Sequence, residues 1–247
     1  MCATNHSLKW LNTIDCRRLY LYAFTTHLKK VLSTLLLFSC YLVKAQNAIS
    51  IATDLSVLRS LSEGQRFTAI GQTVQAQYHF TLKESGYAWV SYYSPGKYKN
   101  TLTATAKDPL TTPPTIDYTV SSELRFRQIS LGWKHYFKGA YDSEDPFTIY
   151  GTAGFGLLFS KVENTHNPSI DTALYIIPPQ SVAGSTDFRR LTFDLALGTE
   201  LRLGTGIYFY TELRTWLPAS SNPAPYLFDQ NTPQVIILNG GIRISFD

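Results

Sequence analysis

The sequence predicts an all-β chain of eight antiparallel strands in up-and-down order. Three observations predict it: apolar residues at every second position through eight segments, tight turns that alternate with long connections, and Gly, Ser and Thr rather than Lys and Glu between the apolar positions. A period of two, sustained this often, is a strand signal.

The chain opens on a segment of another kind. Lys29-Lys30, a mostly apolar run from Val31 to Val43 and the small-residue site Val43-Lys44-Ala45 read as a secretory signal with cleavage near Ala45. The run is too short for a membrane helix, which needs roughly 20 residues. Residues 1–45 are therefore an N-terminal extension and signal, and 46–247 one β domain. The formal charge of +4 belongs to that leader: six of 22 basic residues and one of 18 acidic residues precede Gln46, leaving 16 against 17. The mature chain is near neutral and carries no basic stripe, so no nucleic-acid partner is expected. All three cysteines, Cys2, Cys16 and Cys40, also lie in the leader. Disulfides and cysteine metal or redox sites are thus excluded downstream.

The first strand sets Ile49, Ile51, Leu55 and Val57 on one face. The second, ending at Phe80, sets Ile70, Val74, Ala76, Tyr78 and Phe80 against Gly71, Thr73, Gln75, Gln77 and His79. Lys83-Glu84-Ser85-Gly86 turns into an aromatic third strand, Tyr87 to Tyr93, whose facing the sequence leaves open. Residues 94–122 contain Pro95, Pro109, Pro113 and Pro114 among many Thr, and read as a loop. The fourth strand, about Glu123 to Phe137, alternates Ile129, Leu131, Trp133 and Phe137 with Ser130, Gly132, Lys134 and Tyr136. Its start, Arg125-Phe126-Arg127-Gln128, breaks that parity and suggests a bulge or an end clear of the apolar zone.

The fifth strand carries Phe147, Ile149, Ala153, Phe155, Leu157 and Phe159 against Thr148, Tyr150, Thr152, Gly154, Gly156 and Ser160. A loop over about 163–187 leads to the longest hairpin. Leu191, Phe193, Leu195, Leu197, Leu201 and Leu203 face one way on its first arm, and Phe209, Thr211, Leu213 and Leu217 on its second, joined by Gly204-Thr205-Gly206. Pairing predicts Leu203 opposite Ile207, Glu212 opposite Gly198 and Asp194 opposite Trp216. After a proline-rich loop over 218–233, Ile236, Leu238, Ile242, Ile244 and Phe246 form the eighth strand. Connections after strands two, four and six are short or moderate; those after three, five and seven are long. In an up-and-down sheet the two kinds fall at opposite ends.

Signal, eight strands, this asymmetry of connections and a final strand bearing Phe246 together resemble the small outer-membrane β-barrels of the OmpA- and OmpX-like type. The resemblance implies an eight-stranded antiparallel up-and-down transmembrane β-barrel in the outer membrane of a Gram-negative bacterium. It implies outer-membrane lipid and the barrel-insertion machinery as partners, although Asp247 follows the usual terminal aromatic. Physics agrees: a membrane sheet must pair every backbone group and leave no edge. Aromatics at the short-turn end, Tyr78, Phe80, Tyr87, Trp89, Tyr136, Phe137, Phe147, Tyr150, Tyr208, Phe209, Tyr210 and Phe246, then form an interfacial girdle.

An eight-stranded barrel holds side chains rather than a wide channel. Asp54, Lys134, Asp194, Glu200, Arg202, Glu212, Arg214 and Arg243, with His79, are expected to form a closed interior polar network, with Arg214 diagonal to Asp194 as one pair. No catalytic residue, metal or cofactor is expected. His166 and Ser169 lie in a proline-containing loop, His135 faces lipid, and the glycines of Gly151–Gly156 fall inside a strand instead of before a helix. The expected function is non-enzymatic, in envelope integrity or in surface interaction through an unknown ligand or protein at the long loops, where Tyr98, Tyr118, Tyr175, Ile176, Ile177, Tyr226, Leu227 and Phe228 cluster. The alternatives are a narrow ion or solute channel, a lipid-modifying outer-membrane enzyme, and a soluble lipocalin-like calyx with its apolar face inward around a hydrophobic ligand.

Overall fold

The computed structural model describes residues 49–219, 226–228 and 232–246. The signal, its cleavage site and part of the last loop lie outside the described residues. Among these, ten strands follow in chain order: β1 Ile49–Ser60, β2 Thr68–His79, β3 Glu84–Tyr93, β4 Gly96–Ala106, β5 Thr115–Lys138, β6 Phe147–Asn167, β7 Tyr175–Ile176, β8 Gly184–Gly204, β9 Ile207–Pro218 and β10 Val235–Phe246.

Eight of these strands form a closed antiparallel ring. The order runs β1, β2, β3, β5, β6, β8, β9, β10, and β10 pairs again with β1, Ile49 opposite Phe246. Every wall strand has two neighbours, so the ring has no edge. The strand count and up-and-down order agree with the alternation.

Closure forces every side chain in or out, and the large apolar ones point out. Leu55 is 68% exposed, Leu131 63% and Phe155 61%, and similar residues surround the barrel on all eight wall strands. A belt of this extent is incompatible with water and matches a bilayer's hydrocarbon zone. The inward apolar face of a calyx is thereby overturned.

Three expectations need correction. Residues 94–122 are mostly strand: β4 continues β3 past Ser94-Pro95 and pairs with the first half of β5, Tyr98 opposite Ser122. Only residues 107–114 turn, where three of the four prolines stand, Pro95 marking the junction of β3 and β4. The loop over 163–187 shrinks likewise, because β6 runs to Asn167 and β8 starts at Gly184, Asn164 opposite Gly184. In the long hairpin Glu212 does face Gly198 and Asp194 faces Trp216, but a shift between Arg202 and Gly204 puts Gly204 opposite Ile207. Leu203 is the extra residue of that bulge, and positive φ at Gly206 completes the turn.

The broken parity at Arg125–Gln128 is an inversion without a bulge. β5 keeps strict alternation there, with Leu124 and Phe126 fully buried inside and Arg125 and Arg127 exposed outside. Along β5, β6 and β8 the lumen below this level is polar and the outside apolar; above it the lumen is apolar and the outside charged. Leu58, Phe67, Tyr93, Leu124, Phe126, Leu158, Val162, Trp216 and Ile237 fill the upper lumen. Higher still, Ala104, Tyr118, Val120, Ile170 and Tyr175 form a second small core between the protruding strands. The upper part of the molecule thus has an apolar interior of its own on the same strands.

Candidate functional site

Alternation along β5, β8, β9 and β10 carries the charged residues of the lower half into the lumen. Lys134, Glu200 and Arg243 meet there from three strands. Lys134 Nζ lies 2.5 Å from Glu200 Oε1, and Arg243 Nη2 lies 2.7 Å from Oε2. The Tyr136 hydroxyl donates to the same carboxylate at 3.2 Å. All are essentially inaccessible to solvent, so one acid is shared by two cations.

One level higher, Glu212 takes Arg214 at 2.5 Å, the Tyr150 hydroxyl at 3.1 Å and Asn239 Nδ2 at 3.2 Å. Asp54 accepts from the Tyr210 hydroxyl at 2.8 Å. Asp194 accepts from Gln128 Nε2 at 2.8 Å and Thr192 Oγ1 at 3.0 Å. His79 sits between Ser50 and Ser85, 2.6 Å from each hydroxyl, stacked on Tyr141.

The structure brings these residues together in separate layers, and two placements differ from the expected ones. Arg214 pairs with Glu212, two residues along its own strand face, while Gln128 and Thr192 occupy Asp194. Arg202 stands at the short-turn rim and donates to the Gly204 carbonyl instead of joining the interior.

The aromatic girdle needs the larger correction. Tyr87, Trp89, Tyr136, Tyr150, Tyr208 and Tyr210 are inside the barrel. Their rings cover the cations: Lys134 Nζ is 3.7 Å from the Tyr150 ring centre, Arg243 4.1 Å from Tyr208, and Arg214 4.4 Å from Trp89. Cation–π attraction is strongest where water is excluded. Phe80, Phe137, Phe147, Phe209 and Phe246 do face outward, Tyr78 partly so, and Trp133 stacks on Phe80.

The small residues now have a physical role. A Cβ on Gly198 would stand 2.3 Å from the Tyr150 ring, and one on Gly154 2.4 Å from the Tyr87 hydroxyl. Gly198 receives a ring from the adjacent β6, and Gly154 one that reaches across β5 from β3. Sequence reading found the hollows and the charges; the rings that join them share a face with the charges, which was the available signal.

The histidines form no relay. His135 Nδ1 lies 2.5 Å from Glu84 on the outer wall, and His166 Nε2 lies 2.5 Å from the Ser181 carbonyl. Among the described residues none of the three links a serine hydroxyl to a carboxylate, and no cluster suited to a metal ion occurs.

A closed ring of eight strands, polar and filled within and belted with apolar side chains without, decides the class. The chain is built as a small closed eight-stranded antiparallel β-barrel. No family model and no curated protein matches the barrel's sequence. Solved structures similar to the barrel include Neisserial surface protein A, at 13% identity and TM-score 0.49, covering 81% of this chain and 99% of that one. Ail of Yersinia pestis is similar at 9% identity and TM-score 0.46, covering 82% and 100%. OprG of Pseudomonas aeruginosa is similar at 12% and 0.44, covering 82% and 97%.

Proposed function

We propose that the chain is a non-enzymatic resident of the outer membrane of a Gram-negative bacterium, a sealed anchor whose work lies in envelope integrity or in surface interaction at the loop end. The lumen carries this reading. A lower layer of ion pairs roofed by aromatic rings and an upper plug around Phe126, Leu158 and Trp216 fill it at two successive levels. Ions crossing it would have to break the Glu200 pairs and then enter an apolar plug, and both steps are costly. The histidine geometry supports a non-enzymatic role.

The short turns would face the periplasm and the long connections the outside, as is usual for such barrels. Phe246, outward at the end of β10, would serve recognition by the insertion machinery.

Outer-membrane fractionation, heat-dependent gel mobility and planar-bilayer conductance of the reconstituted protein test this. The expected result is a heat-sensitive mobility shift in the outer-membrane fraction and no resolved current steps. Steps abolished on Glu212→Ala would replace the anchor by a channel.

A further inference from the structure

The inversion of the barrel wall leaves a patch that neither the lumen nor the loop core explains. Arg125 and Arg127 point outward from β5, Lys161 from β6 and Arg189 from β8. Their register places them together: Arg125 faces Lys161, Arg127 faces Phe159, and Phe159 faces Arg189. With Ser160, Asp187 and Phe188 they line one outer groove of about 330 Å³.

Two cations directly opposite one another on an exposed face repel. Glu123 relieves only Arg125, at 2.6 Å. Asp187 faces Lys161 across the ladder, but among the described residues no carboxylate reaches within 4 Å of Lys161, Arg127 or Arg189. Arg127 and Arg189 lie instead over the rings of Tyr92 and Phe159, at 5.5 and 5.7 Å, which holds their forks against the wall.

Height supplies the second constraint. The next outward residues towards the bilayer are Ile129 on β5, Leu157 on β6 and Leu191 on β8, all in the apolar belt. At roughly 3.3 Å per residue Arg127 and Arg189 stand a single side-chain step above the hydrocarbon zone, and Arg125 and Lys161 two steps, at the level of lipid headgroups. The wall from β9 round to β1 differs: Leu217 and Ile236 occupy its upper margin, and Arg59 on β1 is turned onto Thr68 at 2.9 Å. The charge is a local feature of one wall.

The geometry points to a binding site for the phosphate-bearing headgroup of an outer-leaflet lipid, held by Arg127, Lys161 and Arg189 with Phe159 as its apolar floor. Guanidinium forks suit phosphate oxygens, and a phosphate bridging the strands offsets the positive charge that Arg127, Lys161 and Arg189 gather on this wall. The inference rests on the bilayer-spanning reading above.

Purified barrel in non-ionic detergent, titrated with bisphosphorylated lipid A and followed by native mass spectrometry, tests it. Heat-dependent gel mobility, run in parallel, reports separately whether the barrel is folded. Wild type is expected to retain the lipid at low ionic strength and release it at high. Arg127→Glu with Arg189→Glu should keep the mobility shift and bind about tenfold or more weakly, whereas Arg59→Glu should bind as wild type. Equal retention by the double variant, or equal retention of lipid A stripped of both phosphates, would overturn the site. Displacement by inorganic phosphate as effective as by the lipid would overturn the lipid as its occupant. If the double variant loses the mobility shift, the pair Arg127→Gln and Arg189→Gln gives the same reading without charge reversal.

Discussion

Lys134 and Glu200 meet across the lumen at 2.5 Å, under the ring of Tyr150. Glu200 also holds Arg243, so two buried cations share one carboxylate. Glu200→Gln should therefore cost about 3–5 kcal/mol, the usual penalty for stranding a buried charge, read as a lower urea midpoint for the folded gel band in lipid vesicles. Lys134→Met should cost less, since Arg243 still satisfies the acid. Equal effects would contradict the shared arrangement.

Gly198 and Tyr150 are complementary in shape. Gly198→Ala puts a methyl group against a ring that is 1% exposed, and overpacking of this kind costs about 1–3 kcal/mol. Combined with Tyr150→Leu, the alanine should cost clearly less than alone, a coupling that a double-mutant cycle measures.

Trp216 is buried in the upper plug and donates to the Pro233 carbonyl at 3.2 Å. Trp216→Ala should destabilise by about 3–5 kcal/mol yet leave bilayer current at baseline, because the ion-paired layer below persists. Current steps in this variant would mean that the plug alone closes the lumen.

Glu123 bears on the outer patch through Arg125. Its carboxyl is held below the ordinary value, first by the Arg125 hydrogen bond, so the pair's contribution is complete above that ordinary value and is lost as pH falls through the lower folded value. Near neutrality it is intact. Glu123→Gln should release Arg125 and strengthen retention of phosphorylated lipid at pH 7, with little effect on stability, as for most exposed pairs.

The barrel was legible where one pattern had one meaning. Leu191 to Leu203 could alternate only as a strand, and the glycines between strands marked a crowded lumen. Two features escaped because their signals depend on height in the wall. The prolines and threonines of residues 94–122 suggested a loop, yet only residues 107–114 turn, since above the bilayer a Thr-rich strand such as β4 needs no apolar outer face. Tyr136 and Tyr150 looked like interfacial residues by composition and lie inside by parity. Where the two signals conflict, parity decides, because pleating allows a side chain no third direction.

The 24-residue β5 and the 21-residue β6 and β8 are about twice the 9–11 residues that cross a bilayer. The protruding tip and the embedded staves are thus one covalent beam, with no hinge between them. A pull on the tip along the strands loads many ladder hydrogen bonds side by side, in shear, and does not peel them singly. The tip and the barrel wall therefore move as one stiff piece along these strands.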